Sequence, residues 1–249
     1  MNHELIRKIL YQTIKALIVM LVILIVTAII HVESVKKSPE EIQIILAEQK
    51  QAMESMAAGR PLNQNLPDVW PPKMNDEYPN LALIDQNGQS FDMDSLKGKI
   101  IIVEYLDFSS AVSQAQSGSG LLGVYGDENL EADSYAIPFQ DVLRKNNVDI
   151  DLSSNDVLQV KIVLYAAAGD QASRDDAVNW AEHFNLTKED GIIVATPEKD
   201  IRDKDSSFMV GGYQLLDRNL RLRADSSGGA PKHNLDLTFV PLFEKLVKN

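Results

Sequence analysis

The chain reads as an α/β protein: a central sheet flanked by helices, preceded by one N-terminal transmembrane helix and a helical stalk. Three observations carry that reading. Two β-branched runs, Ile100–Leu106 and Val157–Leu164, have the near-continuous apolar character of strands buried on both faces. Segments with helical periodicity follow such runs, so strands and helices alternate along the C-terminal two thirds. An apolar stretch without formal charge, Ala16–Val32, stands ahead of both.

That stretch comes first in the chain. At about 1.5 Å per residue it covers roughly 25 Å as a helix. Extended back to Ile9, with Lys15 snorkelling, it is long enough for the hydrocarbon core. A cleaved signal peptide is the rival, but Ile29-Ile30-His31-Val32 after Thr27-Ala28 makes a poor cleavage site. Arg7, Lys8 and Lys15 before the span, against Lys36 and Lys37 after it, favour a cytoplasmic N-terminus. The expected location is the inner (cell) membrane, single-pass, with residues 1–33 as tip and anchor and the acidic remainder in the periplasm. His31 reads as an interfacial polar residue.

Residues 34–59 follow as a stalk. Ser38-Pro39-Glu40-Glu41 combines a cap, a first-turn proline and a capping-box acid. Ile42, Ile45, Leu46, Met53 and Met56 form an apolar stripe that needs a partner: a second copy, another membrane protein, or the chain's own domain. The Met53/Met56 pair reads as packing rather than a metal site. Residues 60–77 are rich in Pro and Asn, which forbids a helix and favours a spacer or a strap lying on a surface. Trp70, before Pro71-Pro72, is the anchoring contact expected there.

The globular domain is placed at 78–249. Leu81–Ile84 and Ser90–Asp94 read as strands joined by a turn at Asp85-Gln86-Asn87-Gly88. Ile100–Leu106 is the central strand. Residues 109–120, S-S-A-V-S-Q-A-Q-S-G-S-G, read as a small polar loop with almost nothing to bury. A helix is expected over Ala132–Lys145, limited at its start by Pro138. Ser173-Arg174-Asp175-Asp176 is a capping box opening a helix to Phe184, with Ala177, Trp180, Ala181 and Phe184 inward. Ile192–Val194 is a short strand. Tyr213–Asp217 and Leu220–Arg223 form a hairpin, and a last helix over 235–247 buries Leu235, Phe239, Leu242, Phe243 and Leu246.

Composition excludes some chemistry. A formal net charge of -12 repels phosphate backbones, so no nucleic-acid partner is expected. The chain has no cysteine, which removes disulfides, thiolate metal sites and thiol catalysis together. His183 and His233 show no recognisable ligand spacing. The acidic tract 188–205 lacks the spacing and glycine of a calcium loop. The Gly/Ser tracts at 117–120 and 226–229 lack the lysine of a phosphate loop. No G-x-S-x-G elbow points to a serine hydrolase. Neither metal nor cofactor is expected.

The order of elements resembles the thioredoxin-like superfamily, in its membrane-anchored branch of peroxiredoxin-like, thiol-disulfide oxidoreductase and Sco-type proteins. Three segments carry the resemblance: L-A-L-I-D-Q-N-G-Q-S-F-D-M-D-S-L-K-G-K from Leu81, I-I-I-V-E-Y-L-D-F from Ile100, and Y-Q-L-L-D-R-N-L-R-L-R from Tyr213. In the oxidoreductase register the family's C-x-x-C falls on Ser110-Ala111-Val112-Ser113. In a Sco-like register the cysteines fall on Ser110 and Gln114, and in a peroxiredoxin-like one near Val112. The proline that faces the redox pair is expected near Gly211, where the chain reads Met209-Val210-Gly211-Gly212. Ser110, Ser113 and Gly211 are therefore vestigial redox positions. A neutral serine hydroxyl without an adjacent base does not replace a thiolate, and capping the following helix is its simplest use.

The resemblance, with its sulfur missing, implies a redox-inactive interaction, assembly or scaffolding module. The expected partners are the membrane and a protein, or a second copy of the chain. Two alternatives stand beside it: a thiol-disulfide oxidoreductase or peroxiredoxin-like enzyme whose cysteines are replaced in this chain, and a Sco-like metal or cytochrome assembly factor.

Overall fold

The computed structural model describes residues 67, 70–126, 130, 131, 133, 135–154, 156–166, 169–203, 205–228 and 231–248. The expected span at 16–32, the stalk with Ile42, Ile45, Leu46, Met53 and Met56, and half of the 60–77 segment lie outside them. Among the described residues no helix is long and apolar enough to cross a membrane. One compact unit runs from Asn63 to Asn249.

A hairpin opens it. Strands β1 (Ala82–Asp85) and β2 (Ser90–Asp92) pair antiparallel. Their turn ends at Gly88, whose φ of 76° suits glycine. The Asp85 carboxylate accepts the Asn87 and Gln89 N–H groups. Burial pushes that carboxyl upward, but Lys188 and those two N–H groups outweigh it and hold it below its usual range. A short 3₁₀ turn (Met93–Leu96) leads to β3 (Ile100–Asp107).

After β3 come α1 (Ala111–Ser117), the single turn α2 (Ser119–Leu122) and α3 (Phe139–Lys145). Strand β4 (Val157–Tyr165) pairs parallel with β3. Helix α4 (Arg174–His183) crosses to β5 (Ile192–Pro197), parallel to β4. Strands β6 (Gln214–Leu216) and β7 (Leu222–Asp225) pair antiparallel, and β6 returns beside β3. A π turn (Leu235–Phe239) runs into α5 (Val240–Lys248).

The sheet order is β2-β1-β5-β4-β3-β6-β7. Strand β3 is interior, between β4 and β6, as its apolar run requires. Parallel β3-β4-β5 joined by helical crossovers, with an antiparallel β6-β7 pair beside β3 and a closing helix, is a thioredoxin-like arrangement. The two sheet faces are covered differently. On one, Ile100 and Ile102 meet α3 and α5, while Leu106, Val163 and Val194 meet α4. On the other, Ile101, Val103, Tyr105, Val160 and Ile162 meet Tyr78, Leu81, Met93 and Met209, with Trp70 and Met74 at the margin. That second face is clad by the 70–81 strap and short turns.

Two expectations need correction. Residues 109–120 are not a loop with nothing to bury: they are mostly helical, and Ser113, Gln114, Gln116, Ser117 and Ser119 are buried. The sequence is polar there because Ser113, Gln114, Gln116 and Ser117 are buried through hydrogen bonds, while the Ser119 hydroxyl has no partner among the described residues. The helix expected over Ala132–Lys145 is only α3 among the described residues, since Pro138 occupies its cap and 133 and 135–137 are not helical. Elsewhere the boundaries move by a few residues. The Ser173 capping box forms in both directions, and Ala177, Trp180, Ala181 and Phe184 are all buried.

Candidate functional site

Ser110 stands where β3 hands over to α1, at the carboxyl end of the parallel strands. Its backbone is extended and its hydroxyl accepts the Ser113 N–H at 3.2 Å, which makes it the N-cap of α1. Ser113 is fully buried, and its hydroxyl oxygen accepts the Asp107 N–H at 3.2 Å. Both serines that the resemblance places at thiol positions thus hold the corner together. Burial pushes the Asp107 carboxyl upward, against the Ser109 N–H that stabilises its charge.

The rest of α1 is seated the same way. Gln114, fully buried, donates to the carbonyls of Phe108 (2.9 Å) and Tyr125 (3.0 Å) and accepts the Tyr125 N–H (2.8 Å). That clamp holds the Tyr125 ring edge-on against Phe108 and Trp180. Gln116 accepts the Gly212 N–H at 3.0 Å. Ser117 accepts the Trp180 indole N–H at 3.0 Å.

Gly211 faces this corner, as the register requires. Its φ is 78°, and a Cβ there would come within 2.9 Å of the Val112 side chain. Its N–H donates to the Tyr105 carbonyl (3.3 Å), and its own carbonyl accepts the Gly228 N–H (2.6 Å). The structure therefore brings Ser110, Val112, Ser113 and Gly211 together. Trp70 lies on the opposite face, its ring edge-on to Tyr105 with centroids 6.0 Å apart. Its indole N–H is buried without an acceptor among the described residues.

Below α1 lies a buried ion pair. Glu104 of β3 and Lys161 of β4 are in register across the parallel ladder, and the ammonium donates to Glu104 Oε2. Lys161 also reaches the Gln116 carbonyl at 3.5 Å. Both side chains are under 5 % exposed, and Glu104 Oε1 has no partner among the described residues. Burial pushes the Glu104 carboxyl upward, with Lys161 opposing it. Sequence reasoning passed over this pair, although a charge in the middle of each apolar run was its signal. It also missed Gln114 and Gln116, whose role depends on distant backbone atoms.

Two exposed aromatics lie on segments that border this corner. The Asp133 N–H donates to the Ala111 carbonyl, and two residues on Tyr135 is 94 % exposed. Phe208, 71 % exposed, lies against Gly228 and so beside the Gly211 loop. Of the described histidines, His183 sets its ring edge-on to Tyr125 and its Nε2 meets the Gly123 carbonyl, while His233 Nδ1 accepts the Asp225 N–H. No group of three or more acidic, His or Cys side chains that could hold a metal occurs among the described residues.

No family model matches the chain, and no curated protein matches it. Solved structures similar to it include a thiol-disulfide isomerase from Corynebacterium glutamicum, at 14 % identity over 70 % of this chain and 97 % of that one, TM-score 0.41. An SCO1/SenC family lipoprotein from Bacillus anthracis matches at 12 % identity over 72 % and 98 %, TM-score 0.42. A thiol peroxidase from Chromobacterium violaceum matches at 15 % identity over 74 % and 89 %, TM-score 0.38. These neighbours are thioredoxin-like proteins, and for this chain the strand order and crossovers are what define the fold.

Proposed function

We propose that this chain is a membrane-anchored, redox-inactive thioredoxin-like module that works by contact on the extracytoplasmic side of the inner membrane. The observation that carries the reading is the fate of the two serines: Ser110 caps α1 and Ser113 ties it to Asp107. Side chains at the thiol positions serve the framework. The charge-free stretch Ala16–Val32 supports the anchor. The rim formed by Val112, Tyr135 and Phe208 supports a contact surface at the same corner, since exposed aromatics are the residues that carry interface energy. The occupant is a protein partner or a second copy.

Immunopurification of the full-length chain from its own membranes tests this, compared with a Tyr135→Asp/Phe208→Asp variant. A specific partner recovered with the native chain and lost with the variant is expected. Recovery unchanged by the variant contradicts the face, and no partner with the native chain contradicts the module. Insulin reduction by a Ser110→Cys/Ser113→Cys form separates the enzymatic alternative. Background activity is expected, and turnover would favour a redox ancestor with its thiols replaced.

A further inference from the structure

The strap that crosses the helix-free face of the sheet has two unequal halves. Its C-terminal half is bolted down. Tyr78 and Leu81 are fully buried, and the Tyr78 hydroxyl donates to Gln214 Oε1 (2.8 Å) while accepting the Tyr105 hydroxyl proton (2.6 Å). Backbone bonds join it to β7 and the turn before it: Asn75 N–H to the Leu222 carbonyl (2.8 Å), Leu222 N–H to the Asp76 carbonyl (3.2 Å) and Tyr78 N–H to the Leu220 carbonyl (2.7 Å).

The N-terminal half has no such pairing. Pro71 and Pro72 have no N–H to give a ladder. Trp70 is only partly buried; it packs against the core with its ring edge-on to Tyr105, and Pro72, two residues on, is buried. Docking it strands an indole N–H, which offsets part of what the ring contact contributes. Between the halves lies a turn, closed by the Asp76 N–H on the Lys73 carbonyl, with Asn75 left-handed at φ 65°.

We propose that the Trp70 arm is a hinged latch. It closes over Tyr105 and swings about the Lys73–Asp76 turn while Tyr78 and the β7 pairing stay in place. Opening gives up the edge-on ring contact and the burial of Pro72, and the indole N–H released to water offsets part of that loss. The latch bears on the candidate site through Tyr105. That residue's carbonyl accepts the Gly211 N–H, and its backbone bridges to Val210. Opening the arm loosens the Gly211–Gly212 loop. This holds whether or not a partner binds there, so the latch stands apart from the contact reading.

Fluorine NMR on the full-length chain in detergent micelles, labelled with 5-fluorotryptophan, reads it directly. The chain has two tryptophans, and fully buried Trp180 is an internal reference. Trp180 is expected to give one sharp line unchanged between H₂O and D₂O. Trp70 is expected to give a broadened or doubled line with a solvent isotope shift. Amide exchange supplies the coupling. Trp70→Ala should speed exchange at Gly211 and Gly212 roughly tenfold, leaving Tyr78 and Leu222 within about twofold of native. Trp70→Phe, which keeps a ring and removes the donor, should slow exchange at Gly211. A solvent-insensitive single Trp70 line overturns the latch. So does an unchanged Gly211 in Trp70→Ala, or equal acceleration at Tyr78 and Leu222. If Trp70→Ala does not fold, the fluorine spectrum of the native chain decides.

Discussion

Helices α1 and α4 both follow a parallel strand of one sheet, and both open on a serine cap. They are seated by different physics. Helix α4 buries Ala177, Trp180 and Ala181, so area removed from water holds it. Helix α1 buries Ser113, Gln114, Gln116 and Ser117, and each makes a bond to a particular atom elsewhere. Apolar burial tolerates small rotations and directed bonds do not. The corner at Ser110 is therefore more tightly prescribed in its geometry than the seat of α4.

The largest test of that contrast lies under α1. Lys161→Met should destabilise the chain by about 3–5 kcal/mol, because it leaves the Glu104 carboxylate buried and unpaired. Adding Glu104→Leu should recover most of that, read as the urea midpoint of the double variant against each single. The same pair sets a pH dependence. Burial raises the Glu104 carboxyl in the folded chain, so its contribution is fully present below the unfolded value and is lost as the pH rises through the folded one. The double variant should lack that decline. Asp217 has the opposite sign. Burial pushes it up, but the N–H groups of Arg221 and Asn219 and the Arg223 guanidinium hold it below its usual range. Its contribution is lost as the pH falls through the folded value, and Asp217→Asn should flatten the acid limb of the stability curve.

Gln114→Leu is the next break. On α4 an apolar swap of that size would be mild. On α1 it strands the Phe108 and Tyr125 backbone groups, and a loss of about 2–3 kcal/mol is expected in denaturant unfolding. Smaller still, Ser110→Ala and Ser173→Ala should each cost about 1 kcal/mol, since both hydroxyls cap a helix. Equality of the two caps would show that Ser110 now does ordinary structural duty. Gly211→Ala should also cost about 1 kcal/mol or more from its left-handed backbone and the Val112 contact. Val112→Ala should return only the contact part.

The contrast also explains what the sequence could disclose. Helix α4 was legible because the capping box and the Ala177–Phe184 spacing state both its start and its buried side. The strands at 100 and 157 were legible for the same reason, as was the turn at Asn87-Gly88. Helix α1 was not, because serine and glutamine carry no inward signal until their acceptors are placed in space. Helix α3 is shorter than its spacing suggests because Pro138 marks a start rather than an interruption. Of the candidate site, Ser110, Ser113 and Gly211 could be located through resemblance, and the structure does bring them together. The Glu104–Lys161 pair and the Gln114 clamp depend on contacts more than 50 and 10 residues apart in the chain, and Tyr135 and Phe208 come from segments far apart in it.

A photo-reactive phenylalanine in place of Tyr135, of Phe208 or of Leu237 on the terminal helical segment tests the contact reading most directly. The full-length chain is irradiated in its own membrane and the adducts are resolved by mass. A discrete adduct shared by positions 135 and 208 and missing at 237 is expected. The same products at all three positions, or none at 135 and 208, would contradict it.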